Sequence, residues 1–128
     1  MHHPSAIIDR SAKIDESVDI GPFSLIGPDV TIGKDTKIES HVILKGPTTI
    51  GERNHIFQFS TVGDGSPDKK YKNEPTILKI GDDNIIREGV TIHRGTVQDQ
   101  GETIIGNRNL IMAYSHIAHD CILGDDIV

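Results

Sequence analysis

In residues 115–121, SHIAHDC, His116 and His119 stand three apart, and Asp120 follows the second. A third histidine, His93, lies upstream in VTIHRGT, and the run KKYK carries Lys69, Lys70 and Lys72. Imidazole titrates near neutrality. It suits a general base that takes a proton from a hydroxyl, an effect of about 10²–10⁴-fold in rate. There is no GxSxG elbow, and Cys121 falls on an inward position of the repeat described below, so a nucleophilic triad is not indicated. No Gly-rich phosphate loop of the P-loop or dinucleotide kind is present. What remains is direct attack by an activated substrate hydroxyl on an activated acyl group. Taken singly, a surface histidine is only a solvated side chain, Asp120 is a turn residue and KKYK is a solvated loop. The chemistry depends on whether the chain brings these residues together.

The elements that must do so follow a six-residue repeat. Stepping by six from Ile8 meets Ile14, Ile20, Ile26, Ile32, Ile38, Leu44, Ile50, Ile56 and Val62. The series resumes at Ile80, Ile86 and Ile92 and, after a one-residue shift, at Ile105, Ile111, Ile117 and Leu123. The next residue is often glycine, as at Gly21, Gly33, Gly81 and Gly106. Four residues after each aliphatic comes a small or β-branched residue, as at Val18, Ser24, Thr36 and Cys121. β-Branched residues favour short strands, and glycine is expected to relieve the backbone at each corner. The period predicts an all-β fold, a parallel β-helix with triangular coils of 18 residues. Coils stack about 4.8 Å apart. Each inward isoleucine rests on its copy in the next coil and contributes about 1.5–3 kcal/mol, so stability is a nearest-neighbour sum.

Composition agrees with a narrow, regular interior: 21 isoleucines, no Trp, and only three Phe and two Tyr. The net charge of −6 argues against nucleic acid or an anionic membrane surface as the main partner. One cysteine cannot form an intrachain disulfide and fits a reducing, cytoplasmic setting. No signal peptide or long apolar run is visible, so stable membrane insertion is not expected. Val128 closes a hexad and leaves an open coil edge of the kind solenoids cap. Residues 1–128 are therefore expected to be one β-helix domain of a longer protein.

Two polar, turn-rich segments interrupt the repeat: GDGSPDKKYKNEPTILK after Val62, and the region around QDQGET after Ile92. Both are read as loops leaving a coil. If about twelve residues loop out after Val62, then IGERN, IGDDN and IGNRN place Asn54, Asn84 and Asn109 on one wall, where inward amides stack as a hydrogen-bonded ladder. With the slip of the second loop absorbed between them, Ile92 falls under Ile117, and His116 lies on the outer face before it. His119 and Asp120 then fall at the following corner, with His93 about one strand spacing from His119. IHRG and HIAHD become one polar patch, within reach of the Lys69–Lys72 loop.

Taken together, IGPF, SHVILKGPTTIGERNHIFQFSTVG, KKYKNEPT, IREGVTIHRGT and HIAHDC resemble the UDP-N-acetylglucosamine acyltransferases of lipid A biosynthesis, a hexapeptide-repeat family. The likeness covers nearly the whole chain and both loops. It implies a left-handed coil, a homotrimer with sites between neighbouring solenoids, and no cofactor. It also implies transfer of an (R)-3-hydroxyacyl group from acyl carrier protein to the 3-hydroxyl of the sugar nucleotide. Carried over by motif, His119 is the general base and Asp120 its orienting partner or close neighbour. His116 and His93 position substrate, Lys70 is the loop lysine that contacts it, and Asp68 is a sugar-contacting carboxylate. The family's QDLKY reads PDKKY here, so the first loop position differs. Family members are about twice this length, so this chain is expected to hold half a site and to be inactive or weak alone.

Two other readings stay open on the residues. One is an acyltransferase acting on a 3-amino sugar nucleotide. The other is a metal-binding hexapeptide protein of γ-carbonic-anhydrase type, in which three histidines near a subunit edge ligate zinc. The residues themselves indicate no dedicated metal site.

Overall fold

The computed structural model describes residues 1–64, 77–95, 101–118 and 120–128. Every strand in it pairs in parallel with the strand three elements earlier, which builds the three walls of a prism. The first wall stacks Ile7–Ile8, Leu25–Ile26, Ile43–Leu44, Thr61–Asp64, Thr91–His93 and His116–Ile117. The second stacks Lys13–Ile14, Val30–Ile32, Thr48–Ile50, Ile77–Ile80, Glu102–Ile105 and Ile122–Leu123. The third stacks Asp19–Ile20, Lys37–Ile38, His55–Ile56, Ile85–Ile86 and Leu110–Ile111. This is a left-handed parallel β-helix, as the period and the resemblance led one to expect. Among the described residues no helix is long and apolar enough to cross a membrane.

Strand alternation sorts the side chains. Leu25 is 38% exposed while its neighbour Ile26 is 1% exposed. Ile20, Ile38, Ile56 and Ile86 form one continuous inward column on the third wall. The hexad series misses two inward residues, Leu78 and Thr103, which are fully buried and paired one above the other. They lie where the chain rejoins the coil after each interruption, six residues before Asn84 and Asn109 respectively.

Asn54, Asn84 and Asn109 form the expected ladder. Asn84 N–H donates to Asn54 Oδ1 at 2.9 Å, and Asn109 N–H donates to Asn84 Oδ1 at 2.9 Å. Their Nδ2 groups donate to the carbonyls of Gly81, Gly106 and Gly124, each at 2.8 Å. Each amide thus joins two coils by both of its ends. Thr36 continues the column below, accepting from Asn54 N–H at 3.3 Å.

The corners differ from expectation. Most are turned by non-glycine residues with φ of 55–65°, among them Phe23, His41, Arg53, Asp83 and Asp120, while Gly89 turns one at φ 66°. That conformation costs an L-residue about 1–2 kcal/mol. Here it aims the corner N–H at the coil below: Tyr114 donates to the Glu88 carbonyl at 2.8 Å, and Arg53 to that of Lys34 at 2.9 Å. The glycine after each inward isoleucine answers a steric need instead. A Cβ on Gly81 would fall 2.7 Å from the Gly106 carbonyl oxygen, and one on Gly106 2.6 Å from that of Gly124. Neighbouring coils could not reach strand spacing with a side chain there.

One corner carries alternating charge. Arg53 Nε donates to Asp83 Oδ1 at 2.8 Å, and Arg108 Nε to Asp126 Oδ1 at 2.9 Å. The guanidinium hydrogen bonds hold both carboxyls below their ordinary range. With depressed folded values, these pairs stabilise the fold above the unfolded carboxyl range, and the contribution is lost as pH falls through the folded values.

Two outcomes follow. Asn84→Ala orphans the Gly106 carbonyl and the Asn109 N–H, and should destabilise the chain by about 2–4 kcal/mol in urea unfolding; a change below about 0.5 kcal/mol would refute the ladder's role. The double variant Arg53→Met, Arg108→Met should flatten the fall of melting temperature with acid below about pH 4. An unchanged acid slope would show that the corner pairs do not contribute.

Candidate active site

The register of the first wall decides which outward side chains meet. Thr61 pairs with Thr91, and Thr91 with His116, while Val62, Ile92 and Ile117 stack inside. Ile92 therefore lies under Ile117, as phased from the sequence. Thr91 Oγ1 and His116 Nδ1 share a hydrogen bond of 2.6 Å. The His93 and His116 rings meet edge to face, with centroids 4.8 Å apart and planes at 69°. Two histidines 23 positions apart in sequence are thus in contact on one ridge.

Below them the patch continues. A bulge at Gly63 brings Asp64, not Gly63, opposite His93. Gly63 holds φ +90°, and a Cβ there would fall 2.0 Å from the Lys45 carbonyl oxygen. Lys45 Nζ lies 3.4 Å from Asp64 Oδ1. Arg94 Nη1 donates to the Gly46 carbonyl at 2.7 Å. Above, Asp120 takes the corner at φ 62°, and its N–H donates to the buried Thr103 hydroxyl at 2.8 Å. This is the turn role that its position predicted. Cys121 is half-buried against the core rather than displayed.

His93, His116 and Asp120 are thus placed on the first wall and the corner that follows it. His119, Lys70 and Asp68 lie outside the described residues. Sequence reading missed Thr91, Lys45, Asp64 and Arg94. Thr91 was within reach, because the register that sets Ile92 under Ile117 also sets Thr91 beside His116. Lys45 and Asp64 depend on the bulge, which hexad counting does not reveal.

The ridge is open. A hollow of about 360 Å³ lies elsewhere, lined by Arg87, Glu88, Leu110, Met112 and Ala113. A separate imidazole–carboxylate pair, His55 Nε2 with Glu39 Oε2 at 2.6 Å, sits on the third wall and holds the Glu39 carboxyl below its ordinary range. Among the described residues, no three His, Cys, Asp or Glu side chains are grouped to hold a metal ion.

The Thr91 contact sets how His116 is presented. The hydroxyl donates to Nδ1 in the tautomer with its proton on Nε2 and accepts from Nδ1–H in the other, so the contact is coupled to the tautomer. Thr91→Val should change the tautomer ratio of His116 by about two- to tenfold in ¹⁵N imidazole spectra, and Thr91→Ser should retain it. An unchanged ratio in the valine variant would show that Thr91 does not orient the ring.

Comparison with known proteins gives this geometry a context. A family model described as the GMPPB C-terminal domain matches residues 2–100, and one described as bacterial transferase hexapeptide (six repeats) matches residues 102–128. The chain is 61% identical over 126 residues to an acyl-(acyl-carrier-protein)–UDP-N-acetylglucosamine O-acyltransferase of Saccharophagus degradans, covering 98% of this chain and 49% of that protein. It is 64% identical over 84 residues to the protein of the same name from Stutzerimonas stutzeri, covering 66% of this chain and 33% of that one. The structure of LpxA from Acinetobacter baumannii superposes with a TM-score of 0.95 at 56% identity, over 97% of this chain and 48% of that chain. A UDP-N-acetylglucosamine acyltransferase from Campylobacter jejuni superposes with a TM-score of 0.93 at 38% identity, over 99% and 50%. The chain spans about half the length of the relatives it matches from end to end.

Proposed function

Since this chain belongs to the repeat family those two models describe, and within it to the UDP-N-acetylglucosamine O-acyltransferases, we propose that it forms the β-helix half of such an enzyme. Residues 1–128 are one solenoid domain. The reaction moves an (R)-3-hydroxyacyl group from acyl carrier protein to the 3-hydroxyl of UDP-N-acetylglucosamine, the first step of lipid A biosynthesis. Both substrates are water-soluble, in keeping with action in the cytoplasm.

The roles are those carried over by motif from the family resemblance. His119 removes the proton of the sugar 3-hydroxyl as that oxygen attacks the thioester carbonyl. The tetrahedral adduct collapses, the C–S bond breaks, and the carrier thiol leaves with a proton returned by the same imidazole. Asp120, adjacent at the corner, orients the base. His116 and His93 position the sugar nucleotide, and Lys70 and Asp68 contact it from the first loop. The observation that supports this reading is the contact of His93 with His116 across adjacent coils, on the wall that runs into the Asp120 corner.

A homotrimer completes the site. An open ridge excludes water poorly, so a second surface is needed over it. The first wall offers exposed Ile7, Leu25 and Ile43 in line with Thr61, Thr91 and His116, an apolar strip on which a second copy can pack.

His119→Ala in the full-length acyltransferase should lower kcat by about 10²–10⁴-fold, with binding of the sugar nucleotide retained. Unchanged turnover would remove the base role. Acyl transfer to a 3-amino sugar nucleotide, with none to the 3-hydroxyl, would replace the reaction class.

A further inference from the structure

Both interruptions of the coil leave from one corner, and Arg94 stands at it. Elsewhere a corner residue in the left-handed conformation bonds its N–H to the coil below. At this corner Asp29 does so low in the solenoid and Asp120 turns it near the top. In between, the chain departs after Asp64 and returns at Ile77, then departs after Gly95 and returns at Gly101. Coil-to-coil bonding has to be made another way there.

Arg94 and its neighbour make it. The Arg94 N–H donates to the Asp64 carbonyl at 2.9 Å, at the last described residue before the first interruption. Gly95 N–H donates to the Ile77 carbonyl at 3.2 Å, at the first described residue after it. The guanidinium Nη1 reaches the Gly46 carbonyl at 2.7 Å, 48 residues earlier in the chain and two coils below. Neither glycine is replaceable: a Cβ on Gly46 would fall 2.2 Å from the Pro28 carbonyl oxygen, and one on Gly95 2.1 Å from Glu102 N. Arg94 therefore ties three coils at the point where the ordinary corner bonds stop. It also directly follows His93, whose ring meets His116 at 4.8 Å.

We propose that Arg94 is a positioning residue of the site. Its guanidinium, anchored on the Gly46 carbonyl, holds the end of strand Thr91–His93, and so keeps His93 against His116. A long planar side chain with several donors suits this span, where a shorter or apolar one does not. The kinetic consequence rests on the acyl-transfer reading; the geometric one does not.

The test uses Arg94→Met and Arg94→Lys, read in two ways. In this 128-residue chain, the nuclear Overhauser effect between His93 and His116 ring protons reports their contact, alongside the far-UV circular dichroism. In the full-length acyltransferase, KM for UDP-N-acetylglucosamine is compared with kcat. Arg94→Met should keep the circular dichroism of the solenoid, lose the ring contact and raise KM by about 10–100-fold, with a smaller change in kcat. Arg94→Lys, which keeps one donor for the Gly46 carbonyl, should recover most of both. A ring contact and KM left intact in Arg94→Met would overturn the proposal, as would a lysine variant no better than methionine. Should Arg94→Met fail to fold, the lysine variant decides: its KM and ring contact must lie near those of the parent. Absence of acyl transfer in the parent enzyme would sink the proposed function, while the ring contact still decides the role of Arg94.

Discussion

Everything in this molecule depends on coils stacking in parallel at one strand spacing without slipping. A parallel ladder by itself specifies register weakly, since each backbone bond resembles the next. Side-chain period does specify it, because a slip of one residue turns every inward isoleucine outward. The inward asparagines add a second lock. Asn84 bonds Asn54 with one end and the Gly106 carbonyl with the other, and both bonds are satisfied only at one register. An unpaired buried amide is expensive enough to exclude neighbouring registers. Glycine after the isoleucine lets the coils close to that distance, as the 2.6–2.7 Å approaches at Gly81 and Gly106 indicate.

A locked register turns sequence distance into spatial position. Asn54 and Asn84 are 30 residues apart and Asn84 and Asn109 are 25, where the undisturbed spacing is 18. The surplus must leave the prism at a corner, because a wall that absorbed it would lose its inward column. Both excesses leave the same corner, next to the histidines. Chemistry-bearing residues thus gather where the scaffold is interrupted, while the walls on either side remain regular. Rigid strands present His93 and His116 side by side, an arrangement that suits a preorganised site.

Much of this was legible because the repeat is a physical period rather than a motif. Ile92 under Ile117 and the Asn54–Asn84–Asn109 column follow from counting once about twelve residues are set aside after Val62 and about seven after Ile92. Other features were not legible, for identifiable reasons. The glycine signal was visible but its cause was not: freedom of φ and lack of room leave the same residue in a sequence, and here non-glycine residues turn most corners while the glycine after each inward isoleucine makes room. Leu78 and Thr103 were passed over because the forward count breaks off at each interruption, although stepping back six from Asn84 and Asn109 reaches them. The bulge at Gly63 sets Asp64 against His93, and one extra residue in a strand leaves no periodic trace. Arg94 was hidden for a different reason. Among the described residues its guanidinium bonds a carbonyl oxygen 48 residues away, and backbone acceptors carry no sequence signature.

The openness of the ridge bears on how such a site can work. His116 is exposed, and the His93–His116 contact lies on a surface rather than in a cavity. A single prism is convex along every edge, so it cannot by itself surround a substrate. Lengthening a wall only extends the ridge. Enclosure therefore has to come from a second body laid against the first wall, and the exposed Ile7, Leu25 and Ile43 mark where it can lie. Because the coil repeats, a copy packed at one level is in register at all levels, so the scaffold's regularity serves the interface as well as the core. The same constraint that stacks isoleucines inside the prism thus leaves its outer ridge open unless a second surface is laid over it.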